Sequence, residues 1–193
     1  FPSVRPRPYQ KPHPPLARAC TGDASLVEMA KIGRPVLIRG NSCNVTGEKI
    51  KLYRDTMSAA GFSDEAVEQS LEQLWVWREM HISETDDQAF DDFLSPHHAA
   101  YQHLEDIRAE WNPPEMEISM QRAPLGRADY GEASNPDAPE NLVGGYKRVA
   151  EQIASLRDVG VRNLMLTNRG LVSQEKANKS LRLLSEKIMP YFR

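Results

Sequence analysis

The chain has 193 residues, 40% of them apolar and 26% charged, which is the balance of a globular domain with material for a core. Lys plus Arg number 24 against 27 Asp plus Glu, a net charge of −3, which excludes a protein that grips nucleic acid through a basic face. No apolar run reaches the roughly 18 residues of a membrane span, and two cysteines, Cys20 and Cys43, make no disulfide framework, so the expected compartment is the cytoplasm.

The chain opens on Phe1 rather than Met and shows no signal-peptide pattern, which reads as a chain whose start lies elsewhere. Six prolines in residues 1–15 forbid helix and favour an extended run leading into a strand; a linker or a ligand for a proline-binding domain is the other reading. Leu16 to Cys20 is a short strand candidate, and Ser25 to Lys31 is helical, stopped by Gly33. Pro35 to Ile38 is a compact apolar run of buried-strand type. Glu48 to Ala60 is helical, with Ile50, Tyr53 and Met57 on one face and Gly61 as its stop. Leu74 to Ile82 reads as a strand. Thr85-Asp86-Asp87-Gln88 is a capping box opening a helix that runs to about Glu110.

Residues 112–142 carry five prolines and two glycines and read as an irregular insertion, of the kind used as a lid. Regular structure resumes with a helix over Tyr146 to Val159, a strand over Val161 to Thr167, and a helix from Ser173 to Met189 ended by Pro190. Four strands alternating with helices predict an α/β fold with a parallel sheet. A closed barrel of this class needs eight strands and about 250 residues. Residues 1–193 therefore read as about the C-terminal half of one, or else as a small open doubly wound sheet.

The chain lacks a Gly-x-Ser-x-Gly elbow, a Walker loop, a Gly-x-Gly-x-x-Gly and paired cysteines at metal spacing. His97, His98 and His103 lie on one predicted helix, but His98 and His103 are five apart and do not share a face as metal ligands would. His81 lies on a strand, either packed or facing a barrel mouth. Trp75, Trp77 and Trp111 read as core.

The strongest chemical signal is Cys20-Thr21-Gly22-Asp23-Ala24-Ser25, where a strand turns into a helix. Small and hydroxylic residues there leave backbone N–H groups free at the positive end of a helix, a natural phosphate site. Ordinary capping explains the same residues: Asp23 or Ser25 as N-cap, with Ser25 and Glu28 forming a capping box.

Pro12-His13-Pro14-Pro15-Leu16, the hydroxylic turn, and Met29-Ala30-Lys31-Ile32-Gly33-Arg34-Pro35 together resemble the middle of the bacterial luciferase-like flavin monooxygenases. Tyr53-Arg54 with Gly61, Ile82-Ser83-Glu84-Thr85 with Ala89, Val149 to Ile153 with Gly160-Val161, and Ser180 to Pro190 resemble successive later segments of that family in the right order. Gly144-Gly145-Tyr146 stands where the family often has Gly-Ser/Thr-Pro.

The resemblance implies strands five to eight of a (βα)8 barrel, with the site at the C-terminal ends of the strands. It implies FMN, or a deazaflavin in some branches, reduced by a separate reductase and reacting with O₂ to oxygenate a small organic substrate. Its phosphate contacts fall on Thr21, Gly22 and Ser25. Arg39 and Gly40 would lie near the flavin ring, Asn41 to Val45 would line the mouth, and Thr167, Asn168 and Arg169 would approach the cofactor. It names no catalytic residue and no metal. The missing strands imply an N-terminal half, a companion chain, or a homo- or hetero-oligomer such as a dimer. A non-catalytic flavin-binding or subunit-like relative, and a small α/β binding domain without cofactor, are the alternatives.

Overall fold

The computed structural model describes residues 7–11, 13–39, 42–112, 141–168 and 170–192. Its elements are β1 (Arg18–Cys20), α1 (Asp23–Lys31), β2 (Val36–Arg39), α2 (Cys43–Ala59), α3 (Asp64–Glu72), β3 (Trp75–Ser83), α4 (Asp86–Trp111), β4 (Leu142–Gly145), α5 (Tyr146–Asp158), β5 (Asn163–Thr167) and α6 (Gln174–Leu183).

Each predicted element is present, and the differences have physical causes. α2 begins at Cys43, not Glu48, because the Ser42 hydroxyl accepts from the Val45 N–H while Thr46 donates to the Ser42 carbonyl. The stretch expected to line a mouth therefore forms the first turn of a helix at Cys43 to Val45. α3 was not expected; Ser63 caps it, and it buries only Val67 and Leu71, too short a stripe to stand out. The last helix does not run unbroken to Met189. Pro190 has no N–H and its ring crowds the carbonyl four residues back. The chain therefore changes register ahead of it, through a π-helical turn at Leu184–Ile188 and a 3₁₀ turn at Met189–Phe192.

Among the described residues the sheet is wholly parallel and has five strands rather than four. β1 pairs with β2 and β2 with β3. β3, nine residues long, carries the sheet: its first part pairs with β2 and β5, and its last part, Met80 to Ser83, pairs with β4. β4 begins at the last residue of the stretch read as irregular, 112–142, and fills the gap before the helix at Tyr146. Its sequence, Leu-Val-Gly-Gly, ends in two residues of poor strand propensity. Gly145 fits because a Cβ there would sit 3.2 Å from Asp86 Oδ1, which accepts the Gly145 N–H. The remainder of the expected lid, 113–140, lies outside the described residues.

Successive strand residues face opposite sides of a sheet. On one side Val36, Ile38, Val76, Met80 and Ile82 join Leu26, Ala30, Ile50, Tyr53, Met57, Val149 and Leu156 in the main core, under α1, α2 and α5. Gly33 turns α1 into β2 at φ 62°, a left-handed conformation, with the Phe62 ring 2.8 Å from where a Cβ would stand; only glycine fits both constraints. The other side of β3 presents Trp75, Trp77, Glu79, His81 and Ser83. α4 covers the later part of it, and a second cluster of Ala89, Phe90, Phe93, Val143 and Val172 fastens that helix to β4. Trp75 and Met165, on the uncovered part, stay 43% and 40% exposed. Trp111 at the end of α4 is 75% exposed. The reading of these tryptophans as core therefore fails for Trp75 and Trp111; among the described residues no element covers the face that would bury Trp75.

Candidate functional site

All strands point the same way, so their C-terminal ends gather on one rim. The register Cys20↔Ile38 sets Thr21 and Arg39 at neighbouring strand ends. Arg39 is in turn the register partner of Trp77. Trp77 Nε1 donates to Thr167 Oγ1 at 3.0 Å, tying in the end of β5. Thr21, Gly22, Ser25, Arg39, Thr167 and Asn168 are thus brought to one rim, while Gly40, Asn41 and Arg169 lie outside the described residues.

At the first turn of this rim, the N-cap of α1 is Gly22, not Asp23 or Ser25. Glycine has no side chain to cap with, and no side chain caps this helix. Ser25 Oγ donates to the Gly22 carbonyl at 2.8 Å. Glu28 takes no part in a capping box; it pairs with Arg18 at 3.0 Å. Sequence reasoning missed one participant. Lys49, from α2, buries its stem and donates Nζ to the Thr21 carbonyl at 3.1 Å, with Asp23 Oδ1 3.9 Å away. The turn therefore has uncapped amides, two hydroxyls and an ammonium beside one exposed carboxylate. The earlier start of α2, at Cys43, brings Lys49 here, and nothing in the local sequence signals that.

A second constellation lies under α4. His81 Nε2 is 3.4 Å from Ser83 Oγ and 3.5 Å from Asp92 Oδ2. Ser83 donates to Asp92 Oδ2 at 3.3 Å, and Lys176 Nζ donates to Asp92 Oδ1 at 2.6 Å. Burial pushes Asp92 up, but the Lys176 hydrogen bond and charge outweigh it and hold the carboxyl below its usual range. Burial lowers the His81 pKa and outweighs the opposing pull of Asp92, which favours the neutral ring. One turn further along α4, His97 stacks on Phe93 with 3.8 Å between centroids. Its Nδ1 meets the Phe93 carbonyl at 2.6 Å and its Nε2 meets Glu79 Oε2 at 3.2 Å. His97 is a packed histidine, as expected. His81 is both packed and part of a cluster. The signal for it was the His81-x-Ser83 spacing on a strand, which puts both on one face; Asp92 and Lys176 come from separate helices and could not be read. Among the described residues no group of His, Cys, Asp and Glu could hold a metal ion, and no helix is long and apolar enough to cross a membrane.

The family model described as luciferase-like monooxygenase matches residues 1–163. The chain belongs to that family. Solved structures agree on the fold of this luciferase-like chain. It is similar to monooxygenase RslO1 from Streptomyces bottropensis at 21% identity and a TM-score of 0.65, over 98% of this chain and 51% of that one. It is similar to the oxygenating constituent of 3,6-diketocamphane monooxygenase from Pseudomonas putida, solved with FMN, at 16% identity and a TM-score of 0.62, over 92% and 49%. The coenzyme F420 dependent tetrahydromethanopterin reductase from Methanopyrus kandleri matches at 17% identity and a TM-score of 0.54, over 93% and 51%. No curated protein matches. The luciferase-like chain thus spans about half the length of these structural relatives, as a partial barrel does.

Proposed function

We propose that this chain is the C-terminal half of a flavin-dependent monooxygenase barrel and that its Thr21–Ser25 turn receives the flavin phosphate. The observation that carries the reading is the uncapped start of α1 at a strand end, with the Lys49 ammonium beside it, in a luciferase-like chain. Free first-turn amides and a partly buried ammonium are the donor set a phosphate dianion needs, and the residues present fit it. Asp23 is exposed and already faces Lys49, so its charge is offset rather than aimed at an incoming anion.

FMN is the cofactor we assign, since the 3,6-diketocamphane monooxygenase relative was solved with it; the F420-dependent relative makes a deazaflavin the second choice. A reduced flavin bound here supplies the electrons that activate O₂. The chain's own work is to anchor the phosphate at Thr21, Gly22, Ser25 and Lys49, and to set Arg39 and Gly40 beside the ring. A separate reductase supplies the reduced flavin, and a small organic substrate occupies the rim. The remaining strands come from an N-terminal half, a companion chain or a second subunit, which would cover Trp75 and Met165. We place the assembly in the cytoplasm, where Cys20 and Cys43 remain free thiols.

The test is a fluorescence titration with FMN and riboflavin, on the chain alone and together with the segment that completes the barrel. FMN should bind at least about tenfold tighter than riboflavin, and Lys49→Ala should erase most of that difference, as expected for a charge-assisted hydrogen bond. Equal affinity for the two flavins in the completed barrel sinks the phosphate assignment.

A further inference from the structure

β3 outruns its neighbours. β2 ends at Arg39, opposite Trp77, and β5 ends at Thr167, opposite Glu79. Trp77 therefore stands at the rim, although it is only the third of nine residues in its strand. It lies on the side of β3 turned away from α1, α2 and α5. Beyond it on that side, Glu79 is closed off by His97, and His81 and Ser83 by Asp92 and Lys176. Before it, Trp75 is open to solvent. Trp77 is partly buried, at the boundary between the two.

One hydrogen bond sets the direction of its ring. The register partner of Trp77 on β5 is Met165, yet its Nε1 donates to Thr167 Oγ1 at 3.0 Å, two residues further along. Two residues of strand cover about 6.6 Å. The indole therefore leans along the sheet toward the C-terminal rim, pinned at its pyrrole end, with its polar atom satisfied and its faces apolar. The interior of a (βα)8 barrel is filled mainly by branched aliphatic side chains. A tryptophan at the rim, tied down by its N–H, is a different provision: a large flat surface whose orientation is fixed in advance.

We propose that the Trp77 indole is the platform on which the flavin ring rests, with Thr167 as the residue that holds the platform in place. The inference rests on the flavin reading above and adds the ring's contact to the phosphate's. The turn assigned to the phosphate ends β1, and β1 stands two strands from β3, about 10 Å across the sheet. The ribityl chain between phosphate and ring is long enough to cross that distance. Arg39 stands at the end of the strand between them. An oxidised flavin ring is electron-poor and indole is electron-rich, so the two favour an offset stack. The contact is made to the ring alone and does not sense the phosphate.

The experiment reads the ring contact directly, on the completed barrel titrated with FMN and with riboflavin. An indole stacked on a flavin quenches its emission, and a phenylalanine does not. FMN bound to the wild-type protein should therefore be nearly dark and show a charge-transfer absorbance to the red of the free flavin, a measurement that needs no variant. Trp77→Phe should restore the emission several-fold and lose that absorbance. Trp77→Leu should weaken FMN and riboflavin alike, by about three- to tenfold for one aromatic stack, whereas Lys49→Ala should weaken FMN alone. Bound FMN as bright in the wild type as in Trp77→Phe, no charge-transfer absorbance, or a Trp77→Leu loss confined to FMN each overturns the platform. Equal affinity for the two flavins, with emission restored in Trp77→Phe, overturns the phosphate reading and leaves the platform standing. Failure of either flavin to bind overturns both.

Discussion

Tyr53→Ala is expected to destabilise the protein by about 3–5 kcal/mol, the range for truncating a large aromatic in a core. Tyr53 is fully buried on α2, among Ile50, Met57 and the strands β1 and β2 of the main core. Its hydroxyl donates to the Arg34 carbonyl at 2.8 Å, in the turn between α1 and β2. One side chain therefore fills the core and satisfies a backbone acceptor. Tyr53→Phe separates the two: it keeps the ring and loses the hydrogen bond, at about 1 kcal/mol. Urea unfolding followed by circular dichroism measures both. A typical domain has about 5–15 kcal/mol in total, so the alanine variant should show a sharply lower midpoint. If the phenylalanine variant costs as much as the alanine variant, the ring is not what holds α2 in place.

Acid should weaken the fold from a higher pH than carboxylates alone would dictate. The His81 pKa is lowered in the folded state, so the unfolded chain takes up a proton there that the folded one refuses. Stability is then full above the unfolded value of about 6.5 and falls as the pH drops below it, until the folded value is reached. The slope from one such group is at most about 1.4 kcal/mol per pH unit. Asp92 acts in the same direction lower down. Its folded pKa is also lowered, so its contribution is present above about 3.8 and is lost as the pH falls further. Unfolding midpoints measured from about pH 8 down to about pH 2 follow both. His81→Gln should flatten the upper part of the profile and leave the lower part. An unchanged upper limb in that variant would assign the acid sensitivity to another group.

Much of the fold was legible because it is written in local patterns. The β3 run from Leu74 to Ile82, the Thr85 capping box and the glycine stops at Gly33, Gly61 and Gly160 each declare themselves within a few residues. Thr85 does cap α4, accepting from the Gln88 N–H at 3.2 Å. β4 was illegible because Leu142-Val143-Gly144-Gly145 is a strand by virtue of its neighbour, the end of β3, and not of its own propensity. The rim was legible in part. The turn after β1 stood out by composition, but its N-cap was misplaced, since Gly22 offers no side chain and Asp23 and Ser25 both do. Lys49, Asp92 and Lys176 reach their sites from elements many residues away, and no spacing rule connects them.

β3 has a consequence for how this protein can change. It is one strand with two employers. Residues 76, 78, 80 and 82 face the helices: Val76, Met80 and Ile82 belong to the core, and Arg78 reaches Thr46 on α2 at 2.9 Å. Residues 77, 79, 81 and 83 meet Thr167, His97, Asp92 and one another. Drift along this segment therefore separates by parity. Even positions are free to vary only within what the packing accepts, whatever the ligand. Odd positions can be rewritten for a different ligand without disturbing the helices behind them. A lineage that keeps the barrel and alters its chemistry has, in these nine residues, a place where the two demands do not collide.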